Sequence, residues 1–412
     1  AYEIRNCDWS SDVCSSDLLE GALDFREEDA DDDKLARLER GLAHVGLEPK
    51  EAVPLLASLL SLRLPERYAP LEISPQLQRQ KTLEALLAWL LALAEKQPVV
   101  LLVEDLHWAD PSTLEWLGLA IAQCPTAKLL LLLTHRPEFE PPWPTRGHVL
   151  ALALSRLTRR QSQELVARTI AEATLPDEIV ARIASRSDGI PLFVEELAKG
   201  VVEAGGTDDH DVPETLQDSL MARLDRLGDA KQVAQLGAVV GREFPYPLLE
   251  AVAPLKEVAL REGLGRLVEA ELVYQRGLPP KATYTFKHAL VQDVAYQSLL
   301  ESQRAEIHGR IADALDRHFP ERVVREPLEI ARHCEKAGRS ERALAHYQRA
   351  GERAVQHSAH PEALAHFERA MDLLRALPQS TERDRQELSL LTRLGEALAI
   401  IGGSAGGEME RI

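Results

Sequence analysis

Apolar residues recur every three or four positions over DKLARLERGLAHVG (33–46) and EAVPLLASLLSL (51–62), the spacing that lays one apolar stripe along a helix. Ser74-Pro75 offers a capping side chain followed by a first-turn proline, so another helix is expected through QRQKTLEALLAWLLALAEK to about residue 96. The pattern then changes. PVVLLV (98–103) is continuously apolar and ends in two adjacent acids, Glu104 and Asp105, while KLLLLLT (128–134) and HVLALAL (148–154) are two further runs of the same kind. Asp110-Pro111-Ser112 opens a helix, STLEWLGLAIAQ, between the first two runs. Apolar strands separated by helices predict a parallel sheet with helices on both faces.

Beyond residue 155 the period is helical. RRQSQELVARTIAEA and PDEIVARIASRS predict a small helical lid, completed by DGIPLFVEELAKGVVEAG (188–205), and GGTDDHD (205–211) is a polar linker. VPETLQDSLMARLDRL starts a new unit that closes on two short β runs, LVYQR and YTFKH, an order that predicts a winged helix. From Ser302 onward the chain is amphipathic helix, and ALAHYQRA (343–350) recurs as ALAHFERA (363–370). Small residues and an aromatic at fixed helical spacing predict a stacked repeat array of the tetratricopeptide kind, at an offset shorter than that repeat's usual period. The expected organisation is an α/β domain over 19–154, a helical lid over 155–206, a winged-helix-like domain over 207–301 and helical repeats over 302–412.

Residues 1–18 fall outside this scheme. The stretch CDWSSDVCSSDL has neither helical nor strand period, and Asp8 to Leu18 back-translates to a string resembling a common sequencing-adaptor primer. We read residues 1–18 as an adaptor artefact joined to a gene cut upstream. Composition narrows the function classes. A net charge of −18 over 412 residues disfavours non-specific nucleic-acid binding. No apolar run approaches the roughly 18 residues a membrane helix needs. The four cysteines, Cys7, Cys14, Cys124 and Cys334, lack metal-ligand spacing and are too few for a disulfide scaffold, so a reducing cytoplasm is expected.

The candidate chemistry centres on Glu104-Asp105. Ligands of open α/β sheets sit at the carboxyl ends of the strands, where one acid can hold magnesium and its neighbour can orient or deprotonate a water. Asp110 is expected to be a helix N-cap rather than a site residue. Arg136, in Thr134-His135-Arg136 at the end of the second run, could reach a γ-phosphate. The loop that usually completes such a site, G-x-x-x-x-G-K-[ST], occurs nowhere in the chain. His288, among apolar helix positions, reads from the residues alone as a core histidine. Gly189-Ile190-Pro191 reads as an ordinary helix start.

Taken in order, VVLLVEDLHWADPSTLEWL, LLLLLTHRPEFEPPW, DGIPLFVEELAKGVVEAG, VPETLQDSLMARLDRL, GAVVGREF and YTFKHALVQDVAYQSLL resemble the signal-transduction ATPases with numerous domains. These are a class of AAA+-related P-loop NTPases, and the nearest subgroup is the bacterial module linked to adenylate/guanylate cyclases or large transcriptional regulators. The resemblance spans about residues 19–400. It implies an α/β P-loop NTPase-like parallel sheet, here missing its Walker A strand, then helical lid, winged helix and TPR-like repeats. It implies Glu104 at the Walker B magnesium position, Asp105 at the catalytic acid position, Arg136 as the sensor arginine, Pro191 as the GxP proline near adenine, and His288 as the histidine contacting the diphosphate. Ala289 stands where that last motif carries Asp. ATP/ADP and Mg2+ are the implied cofactors of the intact protein. A protein or small-molecule signal at the repeats and an output domain outside this chain are the implied partners, with no membrane and no direct nucleic-acid contact. The expectation is a fragment of an ATP-dependent signalling regulator, a slow ATPase when intact and inactive without its phosphate loop. The alternatives are a non-catalytic helical-repeat scaffold, in which Glu104 and Arg136 have no role, and a DNA-binding AAA+ initiator-like protein, which would need a basic recognition helix.

Overall fold

The computed structural model describes residues 2–5, 15–25, 29–60, 62–69, 71, 73–170, 175–205, 213–356 and 359–402. Its contacts divide the chain into two compact units, 1–150 with 315–412, and 151–314.

The first unit opens with β1 (Tyr2–Arg5), α1 (Ser15–Ala22), α2 (Asp31–Val45), α3 (Pro49–Leu59), α4 (Pro75–Lys96), β2 (Val99–Val103), α5 (Pro111–Gln123) and β3 (Leu129–Leu133). The local signals act as expected. The Ser74 hydroxyl accepts from the Leu77 N–H at 3.3 Å and starts α4, and Gly46 closes α2 in the left-handed conformation that a residue without Cβ takes at no steric cost. β2 and β3 pair in parallel, Val99 opposite Leu129 through Val103 opposite Leu133, and β2 is the central strand of the order β1-β2-β3. Leu101 and Val103 are fully buried among Leu35, Leu38 and Leu42 of α2, Leu86 and Leu90 of α4 and Leu117 of α5. Each such side chain contributes roughly 1.5–3 kcal/mol of transfer free energy.

Three readings need correction here. Helices were expected on both faces of the sheet, yet on β3 Leu130 is 53% and Leu132 47% exposed, because no layer among the described residues covers that face of the strand. The run HVLALAL was read as a third strand, but 148–154 has no strand structure, and Leu150, Leu152 and Leu154 are exposed. A strand is completed by a neighbour's N–H and C=O groups, and the sheet ends at β3. Finally, CDWSSDVCSSDL (7–18), read as lacking any period, contains the start of α1 at Ser15, and β1 before it lies in parallel register with β2. The CDWSSDVC segment lies outside the described residues.

The second unit holds α6 (Arg159–Thr169), α7 (Asp177–Arg186), α8 (Pro191–Glu203), α9 (Leu216–Arg226), α10 (Ala230–Val240), β4 (Glu243–Pro245), α11 (Tyr246–Val252), α12 (Glu257–Glu269), β5 (Val273–Arg276), β6 (Thr283–Phe286), α13 (Ala289–Gln297) and most of α14 (Glu301–His318). α6, α7 and α8 close around Val166, Ile179, Ile183, Val194 and Leu197. The β5–β6 pair is antiparallel as expected, and β4 adds to it in the order β4-β6-β5. The polar linker GGTDDHD lies almost wholly outside the described residues.

The first unit is completed by α15 (Pro320–Arg325), α16 (Pro327–Lys336), α17 (Ser340–Gln356), α18 (His360–Arg375) and α19 (Thr381–Gly402). The two similar octets lie on α17 and α18, which pack on each other through Gly351, where an added Cβ would meet the Phe367 ring at 2.4 Å. Among the described residues no helix is long and apolar enough to cross a membrane.

Candidate functional site

β2 ends at Val103, and the two acids follow at the carboxyl edge of the sheet, Glu104 exposed and Asp105 half-buried. Asp105 takes a left-handed conformation, φ 53° and ψ 52°. For a residue with a Cβ this is uncommon, and aspartate is among the few that tolerate it. Three hydrogen bonds hold this turn against the end of β3. The Asp105 N–H donates to the Thr134 hydroxyl at 2.9 Å, the Leu106 N–H to the Thr134 carbonyl at 2.9 Å, and the Thr134 N–H to the Val103 carbonyl at 3.0 Å. Thr134 therefore clamps the acidic turn, and Arg136 follows it, exposed, in the loop beyond β3.

The structure thus brings Glu104, Asp105 and the Thr134–Arg136 segment to one edge of one sheet. The sequence reading treated Thr134 only as the end of an apolar run. A hydroxyl after five leucines was the signal that this strand end carries a bond. The same reading passed over His107, whose ring nitrogens are both buried without a hydrogen-bond partner and whose Nδ1 lies 3.9 Å from Asp105 Oδ1. Asp110 is the N-cap foreseen for it, with its carboxylate accepting from the Thr113 N–H at 2.7 Å.

Glu104 and Asp105 are hard oxygen donors of the type magnesium takes, one or two carboxylates with the remaining positions left to water and phosphate. Among the described residues no cluster of three or more histidine, cysteine or acidic side chains could hold a metal unaided. A magnesium ion brought by a nucleotide fits this donor set, whereas a permanently caged metal does not.

Pro191 and His288 belong to the second unit. Pro191 is exposed at the first position of α8. Its motif has a clear local cause. Gly189 sits at φ 70°, its carbonyl accepts from the Leu157 N–H at 2.7 Å, and an added Cβ would lie 2.3 Å from the Leu157 carbonyl oxygen. Replacing Gly189 with alanine is expected to cost at least about 1–3 kcal/mol, as a left-handed non-glycine residue with a backbone clash. The denaturant midpoint of the second unit reads this, and an unchanged midpoint would contradict the assignment. His288 precedes α13 and is half-buried; its side chain caps no backbone N–H there. Burial lowers its imidazole pKa, the carboxylate of Glu196 on α8 opposes that shift, and Lys287 adds to it. A largely neutral imidazole beside α8 can donate or accept a hydrogen bond near pH 7 but supplies little charge for a phosphate.

No protein-family model matches the chain. It is 31% identical over 338 residues to an uncharacterized protein of Rhizobium meliloti (strain 1021), covering 79% of this chain and 33% of that protein, so the chain spans about a third of that relative's length. Among solved structures it is similar to a signal transduction ATPase with numerous domains that carries a tetratricopeptide repeat sensor, from Pyrococcus horikoshii. The TM-score is 0.48 at 14% identity, with 100% of this chain and 60% of that one covered.

Proposed function

We propose that this chain is part of an ATP-dependent signalling regulator, a nucleotide-switched module of the signal-transduction ATPase class that couples a helical-repeat sensor to a cyclase or transcriptional output lying outside the chain. The observation that carries the reading is the juxtaposition of Glu104-Asp105 with Thr134–Arg136 at the carboxyl edge of a parallel sheet, where open α/β sheets bind their ligands. Bound magnesium would neutralise phosphate charge and orient the triphosphate. Glu104 would hold that ion, directly or through water. Asp105, fixed in its left-handed turn by Thr134, would position the attacking water, and Arg136 would sense the terminal phosphate.

The phosphate cradle is assigned to a strand outside this chain, pairing with the free edge of β3 and giving residues 148–154 a neighbour. In the second unit, the helices α9 to α12 with the β4-β6-β5 sheet support the winged-helix reading, and Pro191 and His288 are proposed as residues responsive to nucleotide. ATP/ADP exchange would then shift the balance between two arrangements of the units.

The test uses a longer protein in which this chain is joined to a phosphate loop of the form G-x-x-x-x-G-K-[ST]. Asp105→Asn is expected to lower turnover by about 10²-fold or more while leaving nucleotide affinity within a few-fold, because it removes a group that acts only on the attacking water. Arg136→Ala is expected to erode discrimination between ATP and ADP. Turnover and affinity unchanged in both variants would reject these roles and favour the scaffold alternative.

A further inference from the structure

The first unit contains a contact that the nucleotide reading does not use. Glu362, in the first turn of α18, lies against the first turn of α5. Its Oε1 accepts from the Ser112 backbone N–H at 3.1 Å and its Oε2 from the Ser112 hydroxyl at 3.2 Å. Beside it Asp110, 8% exposed, accepts from the Thr113 N–H at 2.7 Å and from the Thr113 hydroxyl at 2.6 Å, and it is hydrogen-bonded to Glu362 as well. Two carboxyl groups from distant parts of the chain therefore meet at one helix N-terminus. Around them, Arg79 of α4 pairs with Glu115 of α5, and His360 at the head of α18 is fully buried with neither ring nitrogen hydrogen-bonded. The seam continues through Ser58 of α3, whose hydroxyl donates to the Gln356 carbonyl of α17 at 3.3 Å and accepts from Gln78 Nε2 of α4 at 3.1 Å.

We propose that this seam is a releasable latch, in which Glu362 caps α5 and holds the repeat helices on the α/β layer, closed by one proton shared between Asp110 and Glu362. Two carboxylates in hydrogen-bonding contact cannot both be ionised without strong repulsion, and a helix N-terminus favours only about half a unit of negative charge. Protonated Asp110 donates to Glu362, which accepts from Ser112. Burial first, then the charge of Glu362, holds the Asp110 carboxyl well above its ordinary value. A raised value means the latch has its full strength below the ordinary carboxylate range and loses it as pH rises through the elevated value of Asp110. His360 has the opposite sign. Burial and Arg79 push its imidazole down, so charging it in acid loosens the same seam. Protection of the seam should therefore have two limbs of opposite sign, a loss toward high pH belonging to Asp110, the alkaline limb, and a loss toward low pH belonging to His360, the acid limb. Asp110 sits in the turn that follows Glu104-Asp105, so opening would disturb the acidic turn. That coupling rests on the proposed nucleotide site, whereas the latch does not.

Hydrogen exchange on the 412-residue chain tests it, reading peptides over 110–118 and 359–368 from about pH 5 to 9 after correction for intrinsic rates. The wild-type chain is expected to lose at least about tenfold of its protection along the alkaline limb, the scale of one hydrogen bond to a charged group. Asp110→Asn, which keeps a permanent donor toward Glu362, should abolish the alkaline limb and leave the acid limb. Glu362→Gln should shrink the alkaline limb without abolishing it, because it removes the neighbouring charge while Asp110 stays buried. Glu362→Ala should lose protection at every pH with helix content retained, and if that variant does not fold, the two amide variants decide. An alkaline limb that persists in Asp110→Asn, one that Glu362→Gln leaves at full size, or wild-type protection independent of pH would overturn the proposal.

Discussion

Replacing Arg223 with alanine is expected to destabilise the second unit by about 3–5 kcal/mol, the cost of leaving one member of a buried ion pair alone. Arg223 is 3% exposed and divides its guanidinium among three partners. Nη1 pairs with Glu196 of α8, itself 4% exposed, Nε donates to both oxygens of Glu203 at 3.1 Å, and Nη2 donates to the Ala270 carbonyl beyond α12 at 2.8 Å. Glu203 keeps Arg226 at 3.1 Å when Arg223 is removed, but Glu196 loses its ion-pair partner and the Ala270 carbonyl loses its donor. The loss is therefore one of unpaired buried groups rather than of Coulomb attraction alone. The double variant Arg223→Met with Glu196→Leu separates the two, since it removes both charges, and it should recover most of the loss. Urea unfolding followed by circular dichroism, with hydrogen exchange over 191–203 and 216–226, reads the effect. A loss below about 1 kcal/mol for the single variant would mean that the pair is solvent-relaxed and does not join α8 to α9 and α12.

How much of this was legible in the sequence depends on how far each signal reaches along the chain. Ser74 and Asp110 act on amides three residues away, and both caps were readable from type and position alone. β2 and β3 were readable because an apolar pentamer followed by a polar residue has few other uses in a folded chain. The same reasoning failed for HVLALAL, whose composition matches β3 but whose strand needs a partner that the run itself cannot supply. β4 was missed because three residues, Glu243 to Pro245, are too few to show a period. At the candidate site, the acids and Arg136 were visible as residue types at strand ends, but the Thr134 clamp and the left-handed turn of Asp105 are properties of two strands held side by side. The Glu362 contact with Ser112 was not legible at all, because nothing near either residue marks the other as a neighbour.

The central claim is that the carboxyl edge of β2 and β3 binds a magnesium nucleotide once a phosphate cradle lies beside it. Glu104 and Asp105 by themselves present negative charge to a triphosphate, and at roughly 4 Å two unit charges still repel by about 1 kcal/mol even in bulk water. Backbone N–H groups and a lysine supply most of the anion contact in such sites, and the chain has no loop of that sequence pattern. Affinity should therefore differ between the 412-residue chain and a longer protein in which it is joined to such a loop by orders of magnitude, more than any point variant would change it. Titration calorimetry with ATP, run with and without magnesium on both proteins and on the longer protein carrying Glu104→Ala, measures this directly. The account predicts binding in about the micromolar range, −8 kcal/mol, by the longer protein with magnesium, a clear loss with Glu104→Ala, and no measurable binding by the 412-residue chain. Micromolar binding by the 412-residue chain, or magnesium-dependent binding by the longer protein that Glu104→Ala leaves unchanged, would contradict it.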